Sequence, residues 1–376
     1  MPKIKPEELV RKKSALKTVK SVDLGPMDTS GRSFKRKKNS ETGQYHAGHE
    51  FADLMTSMRR GITEMKASML ENKGVNSSDP DYARSSMNEW ARRTHNVLQG
   101  HAGAEEYVDQ ATRSIYDNWR APGSARSSSE QDTKASETLS ALEEVSSRRK
   151  ETGVKVYDQS TKLSPSRARR KHGTDYKGKT VDAYGNFAYR INPTESRPKA
   201  PSGKMSRLSL NMEMDDAPQM AKRMAHVVET EPDLVRQSKM MGPKNIGSRV
   251  DDAVVYLGQE PNIQNAKRVD RALSHGMGMP HFDTAPPGME SLSPLSSYAE
   301  YMPGTSSSHG SNRGEMVKDV VQQKLRGSSK GTHELMGTAL ESAGYHPGKP
   351  SRILSDTDKH LRTQLAARRR AINPDD

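Results

Sequence analysis

The chain has 376 residues, of which 31% are hydrophobic and 5% aromatic. The usual apolar share is about 45–50%, so one continuous core through the whole length is excluded. With no cysteine there is no disulfide framework, thiolate metal site or cysteine nucleophile. Lys and Arg exceed Asp and Glu by 60 to 47, and 12 of those cations face only four acids within residues 1–40. The excess charge therefore belongs mainly to a tail, and no nucleic-acid partner is expected from it.

Residues 1–50 are Lys- and Ser-rich, with too few large apolar groups to offset the entropy of ordering, and read as disordered when alone. They lack the apolar region of a cleavable secretory signal, and no run of 18 apolar residues follows to span a membrane. Over 51–122 the pattern changes. Phe51, Leu54, Met55, Met58, Ile62, Met65 and Met69 recur at spacings of three and four, the signature of one helix face. Two more helices are expected at 81–98 and 104–119, and the Met stripe suits either a core or an adaptable recognition groove. Residues 123–180 read as a linker. It carries a weak helix at 130–150, marked by Leu139, Leu142 and Val145, and a loop at 160–179 with a basic cluster, Arg167, Arg169, Arg170, Lys171 and His172. That cluster lacks interleaved aromatics and reads as a solvated or partner-binding segment.

From 181 to 376 strands and helices intermix, which implies an α+β domain. A short strand at 186–191 ends at Asn192-Pro193. Residues 205–212 alternate, with Leu208, Leu210 and Met212 on one face and Arg207, Ser209 and Asn211 on the other, so the polar face is a candidate floor for a site. Asp215 or Asp216 is expected to cap a helix bearing Met220, Met224, Val227 and Val228. Strands follow at 239–241 and 252–257, the latter apolar enough to be central. Helices are expected at 263–273, 314–325, 332–343 and 356–370.

Three motifs invite chemical readings. Ser308, His309 and Gly310 precede an expected helix start at Gly314, with Arg313 beside it. Backbone N–H groups and a guanidinium there suit an oxyanion or phosphate, although composition alone favours a plain Ser N-cap with a solvated Arg. His275 and His281 flank Met277 and Met279 in one loop, but no acid or thiolate completes a metal site, and no metal or cofactor is expected. Ser209 and Ser308 lack the Gly-x-Ser-x-Gly setting of a hydrolase nucleophile.

Ser202-Gly-Lys with Arg207-Leu-Ser-Leu210, Lys239-Met-Met-Gly-Pro243, Asp252-Ala-Val-Val-Tyr-Leu257, Leu295-Ser-Ser-Tyr-Ala-Glu300, Ser307-Ser-His-Gly310 and Gly344-Tyr345 resemble, in order and spacing, the HopA family of type III secreted effectors of plant-pathogenic bacteria. The resemblance implies a virulence protein injected into the host plant cell cytoplasm, where it modulates or triggers defence. It also implies an N-terminal export signal and a segment, here 51–122, held by a small acidic dedicated chaperone. The fold it implies for 181–376 is a mixed sheet with packed helices, similar to that of phosphothreonine lyases. In those enzymes a lysine removes the α-proton, a histidine protonates the departing phosphate and basic residues clamp it. Carried over by position, Lys239 is the base, and Arg207, Arg313 and Ser308 contact phosphate or another anion. Ser209 and Tyr256 form the floor. Ser209 falls where the acid histidine belongs and cannot replace it near neutrality, which leaves His309 as the substitute. The expected activity is recognition of a phosphorylated or anionic host protein or phosphopeptide, with β-elimination by Lys239 as the alternative.

Overall fold

The computed structural model describes residues 50–52, 54–56 and 58, residues 128–357 apart from 186, 198, 248–250, 276–284, 306–307 and 326–327, and residues 360 and 364. The expected tail, the helices at 81–98 and 104–119 and the imidazole of His281 lie outside the described residues, as does most of the helix at 356–370. The described chain belongs to two compact units. One contains 119–306 and the chain from 349 onward, and the other contains 52–118 and 307–348.

The larger unit is built on a seven-stranded sheet ordered β1-β2-β4-β5-β3-β7-β6. Its strands are β1 (Val154–Asp158), β2 (Tyr189–Pro193), β3 (Met205–Leu210), β4 (Val235–Met240), β5 (Ala253–Leu257), β6 (Glu290–Ser291) and β7 (Ser296–Tyr301). The architecture is α+β as expected, but each ladder is antiparallel, so the sheet is not mixed. The apolar run at 253–257 is the middle strand of the seven, which is why it tolerates so few polar groups.

Helices α1 (Ser128–Ser147), α4 (Ala217–Thr230) and α5 (Ile263–Ser274) accompany the sheet, with short α2 (Arg149–Thr152) and α3 (Pro165–Arg170) between α1 and β2. Leu139, Leu142 and Val145 of α1, Met220, Met224, Val227 and Val228 of α4, and Val269 and Leu273 of α5 share one core with Tyr189, Ile191, Leu208, Leu210, Met240, Val255 and Tyr298. Because side chains alternate along a strand, this core takes one face of the sheet and leaves Arg190, Arg207, Ser209, Lys239, Tyr256 and Tyr301 on the other.

Several local expectations change. The stretch read as a linker is integral to this unit: α1 packs on α4 and β1, and β1 closes one edge of the sheet. The thin apolar stripe of α1 is widened by buried small residues, Ala135 and Ala141 among them. The loop at 160–179 contains α3, started by Pro165 at its first turn. Strand β4 begins at Val235 instead of 239, and a register shift between Val235 and Gln237 breaks the alternation there, so no clean apolar period shows in the sequence. Asp216 is the N-cap residue of α4, but it sits in a helical conformation and makes no capping bond through its side chain. Asn262 does cap α5, accepting from the amides of Gln264 at 2.8 Å and Asn265 at 3.4 Å.

In the smaller unit α6 (His309–Leu325) packs on α7 (Thr332–Ser342), which in turn meets β8 (Tyr345–His346). Helix α6 starts five residues earlier than expected, so His309 and Gly310 are in its first turn and not in a loop. The last strand, β9 (Lys349–Ile353), belongs to the larger unit and lies against β7. Arg352 joins it to Glu290 and Glu300, with its guanidinium 4.8 Å from the Tyr298 ring.

Candidate anion-binding site

The polar face of the sheet gathers cations from neighbouring strands. Arg190 on β2 is opposite Lys239 on β4. Lys239 is opposite Val254 on β5, and Arg207 on β3 is opposite Tyr256 on β5. Four adjacent strands thus place two guanidiniums, an ammonium and a phenol side by side. Like charges converging in this way are destabilising unless something negative joins them.

Burial and the neighbouring charges shift three of these groups. Burial pushes the Lys239 ammonium below the usual lysine range; Tyr256 and Asp251 oppose the shift, while Arg207 and Arg190 add to it. For Tyr256, burial disfavours ionisation, but Lys239, Arg207 and Arg190 overcome it and hold the phenol below its ordinary value. Burial also works against the charge of Arg207, which Tyr301, Tyr256 and Asp251 more than restore. Tyr256 accepts hydrogen bonds from Arg207 and Arg190, with the Arg190 guanidinium 5.9 Å from its ring, and Arg207 lies 5.1 Å from the Tyr301 ring.

The face is graded in depth. Arg207 and Ser209 are buried, while Lys239, Tyr256 and Arg190 are half-buried. Two polar atoms at the deep end, Arg207 Nε and Ser209 Oγ, have no hydrogen-bond partner among the described residues. A buried donor left unpaired costs about 1–3 kcal/mol, so its retention at the back of a cationic face points to an oxygen-rich guest. The arrangement can grip a phosphate-like or carboxylate group through Arg207, Lys239 and Arg190. It can also deprotonate Lys239 more easily than an ordinary lysine.

Of the residues singled out from sequence, Arg207, Ser209, Lys239 and Tyr256 come together here. Arg190, Asp251 and Tyr301 were missed. The Tyr189-Arg190-Ile191 alternation already marks Arg190 as facing away from the core, but only strand order reveals its neighbour. Ser308, His309 and Arg313 cluster at the first turn of α6 in the other unit. Ser308 is exposed and its hydroxyl accepts from the Ser311 amide at 3.1 Å. His309 and Arg313 are buried, and Arg313 lies 4.0 Å over the Tyr345 ring and donates to Asn312. Among the described residues no group of three acidic or imidazole side chains is placed to hold a metal, and no helix is long and apolar enough to cross a membrane.

The HopA1 effector protein family matches residues 182–352, the stretch that contains the cationic face. Protein HrmA of Pseudomonas syringae pv. syringae is 29% identical over 166 residues, covering 43% of this chain and 42% of HrmA, so the match spans less than half of that relative. The effector protein of Pseudomonas syringae pv. tomato strain DC3000 superposes with a TM-score of 0.53 at 24% identity, covering 70% of this chain and 99% of that one. The effector protein of Pseudomonas syringae pv. syringae strain 61 gives 0.51 at 22% identity, over 70% and 98%. At these identities the two structures establish the shared fold.

Proposed function

We propose, for a chain whose residues 182–352 match the HopA1 effector protein family, that it is a virulence effector delivered by type III secretion into the host plant cell. There it recognises a phosphorylated or otherwise anionic group on a host protein, and so modulates or triggers defence. The N-terminal region serves export and is held beforehand by a small acidic chaperone, which suits its basic composition.

One observation carries the recognition reading: Arg190, Arg207 and Lys239 converge around Tyr256 with the Arg207 Nε unpaired. An incoming dianion supplies what the face lacks, accepting from Arg207 at the back while Lys239 and Arg190 hold it from the open side. Burial, with Arg207 and Arg190 adding to it, disfavours the Lys239 ammonium, and a bound anion favours it, so affinity is coupled to the charge of that lysine.

The lowered proton affinity of Lys239 also favours a second reading, β-elimination. Its amine would take the α-proton of a phosphothreonine, the Cβ–O bond would break, and phosphate would leave. That departure needs a proton donor, and the hydroxyl of Ser209, which lies on the same face, is too weak an acid for the role. Recognition without turnover therefore fits the sheet face better.

The test is to titrate the full-length protein with a phosphothreonine peptide and its unphosphorylated twin in a calorimeter, then weigh both peptides. Preferential binding of the phosphopeptide with unchanged mass is the expected result. Loss of phosphoric acid, abolished by Lys239→Ala, would establish the lyase instead. Equal or absent binding of both peptides would remove the anion site.

A further inference from the structure

We propose that a second basic surface, formed by three laced loops of the larger unit, docks the protein on an anionic lipid bilayer. Residues 162–179 contain seven Lys or Arg and one acid. Arg169 is tied to Glu143 at 2.9 Å and is structural. Lys162, Arg167, Arg170, Lys171, Lys177 and Lys179 are exposed and make no ion pair among the described residues. The one acid, Asp175, accepts the Gly178 amide at 3.0 Å within its own turn.

Contacts fix these cations on one surface. Lys179 Nζ donates to the Ser160 carbonyl at 3.2 Å, which joins the 171–181 hairpin to the 158–163 turn. The Gln159 amide donates to Ala188 O at 2.8 Å, joining that turn to the loop that carries Phe187. The Ala183 amide donates to His172 Nδ1 at 3.1 Å, closing the triangle. At 38% relative exposure, Phe187 stands out as an exposed large hydrophobic side chain among the described residues. It emerges beside this cationic ground.

Backbone strain marks the same place. Among the described residues, two non-glycine positions have positive φ, and both are lysines of this surface: Lys162 at 63° and Lys177 at 55°. A left-handed conformation costs a residue with a Cβ about 1 kcal/mol or more, which Gly would avoid. Both strained lysines present their ammonium over tyrosine rings, Lys162 at 5.6 Å from Tyr157 and Lys177 at 5.4 Å from Tyr176. Lys171 lies 5.3 Å from the Tyr176 ring. The sequence reading missed this interleaving of aromatics because Tyr176 lies beyond the Arg-Lys run. Strain held at functional ground is the general pattern.

The partner follows from the chemistry. Rings already covered by ammonium groups are poor platforms for stacking nucleobases, which weakens a nucleic-acid reading. Exposed lysines on loops laced to the one that carries an exposed phenylalanine suit a surface with anionic headgroups above an apolar layer, where the charges attract and the ring inserts.

The absence of cysteine makes the test specific. Phe187→Cys in the full-length protein gives a single thiol for an environment-sensitive fluorophore. It is mixed with phosphatidylcholine vesicles with or without about 30% phosphatidylserine. Fluorescence should rise with the anionic vesicles alone. In co-sedimentation, the variant Lys162→Glu/Lys171→Glu/Lys177→Glu should bind those vesicles at least about a hundredfold more weakly, with an unchanged far-ultraviolet spectrum. An unaltered fluorophore signal would overturn the proposal, because vesicle binding would then come from the basic N-terminal residues. A signal evoked by single-stranded RNA and not by vesicles would overturn it in favour of a nucleic acid.

Discussion

At the scale of single residues, Ser209 and Lys239 give opposite kinds of test. The Ser209 hydroxyl is buried and unpaired, so Ser209→Ala should raise stability by about 1 kcal/mol in urea denaturation. It should leave phosphopeptide affinity within twofold if the serine is only floor. A tenfold loss would make it a ligand to the anion. Lys239 has a folded-state proton affinity lowered chiefly by burial. Between that lowered value and the unfolded value near about 10.4 the unfolded chain binds more protons, so this residue makes stability rise with pH across the window. Below the folded value both states are protonated and the cost of burying the charge is fully present. Lys239→Met should remove the alkaline rise and stabilise the fold at neutral pH by about 1 kcal/mol, while abolishing phosphopeptide binding. A flat wild-type profile in pH-dependent thermal unfolding would refute the lysine's burial. Arg207 and Ser209 were legible because alternation and family resemblance both point to them, and Lys239 through the resemblance alone. Arg190 was not, since a lone arginine in a strand of five residues carries no mark of what lies beside it.

At the scale of elements, legibility follows the strength of the local period. Strand β3 alternates cleanly and α5 carries its cap, and both were read nearly to the residue. Strands β1 and β4 were missed in whole or in part, because Lys155 and Tyr157 face away from the core in β1 and a register shift between Val235 and Gln237 interrupts the alternation of β4, which dilutes an already short apolar signal. Helix α1 shows what such dilution hides. Leu142 is wholly buried where α1 meets α4 and the sheet core, so Leu142→Ala should cost about 2–5 kcal/mol by chemical denaturation. A cost under 1 kcal/mol would return 128–147 to the status of a linker. The clasp on β9 tests the opposite edge of the sheet. Arg352 donates from Nη1 to Glu300 at 3.0 Å and also holds Glu290. Burial opposes its charge, and the two carboxylates more than compensate. Arg352→Met would leave Glu300, 9% exposed, without its cation. The expected loss is about 3–5 kcal/mol, accompanied by earlier proteolytic cleavage after residue 349. Replacing Glu290 and Glu300 by Gln in the same variant should recover much of it, because the cost lies in the stranded charges.

At the scale of the whole molecule, charge is divided between places with different tasks. The N-terminal residues carry a dense positive excess, the loops around Lys162 and Lys177 carry a second, and the sheet face holds a third that is partly buried. Screening separates them: exposed charges weaken as salt shortens the Debye length to about 8 Å at physiological strength, whereas a buried cluster is less affected. Phosphopeptide binding at the sheet should therefore survive 0.5 M salt better than vesicle binding by the loops. The basic N-terminal stretch has too little apolar surface to join a core. Deleting residues 1–47 should accordingly leave the thermal midpoint and phosphopeptide affinity unchanged, and leave the Phe187 probe responsive to phosphatidylserine vesicles. The same deletion should abolish translocation of a reporter fusion through a type III apparatus. A deletion that lowered the midpoint by several degrees would show that these residues pack on the folded units, and one that still translocated would move the export signal downstream of residue 47.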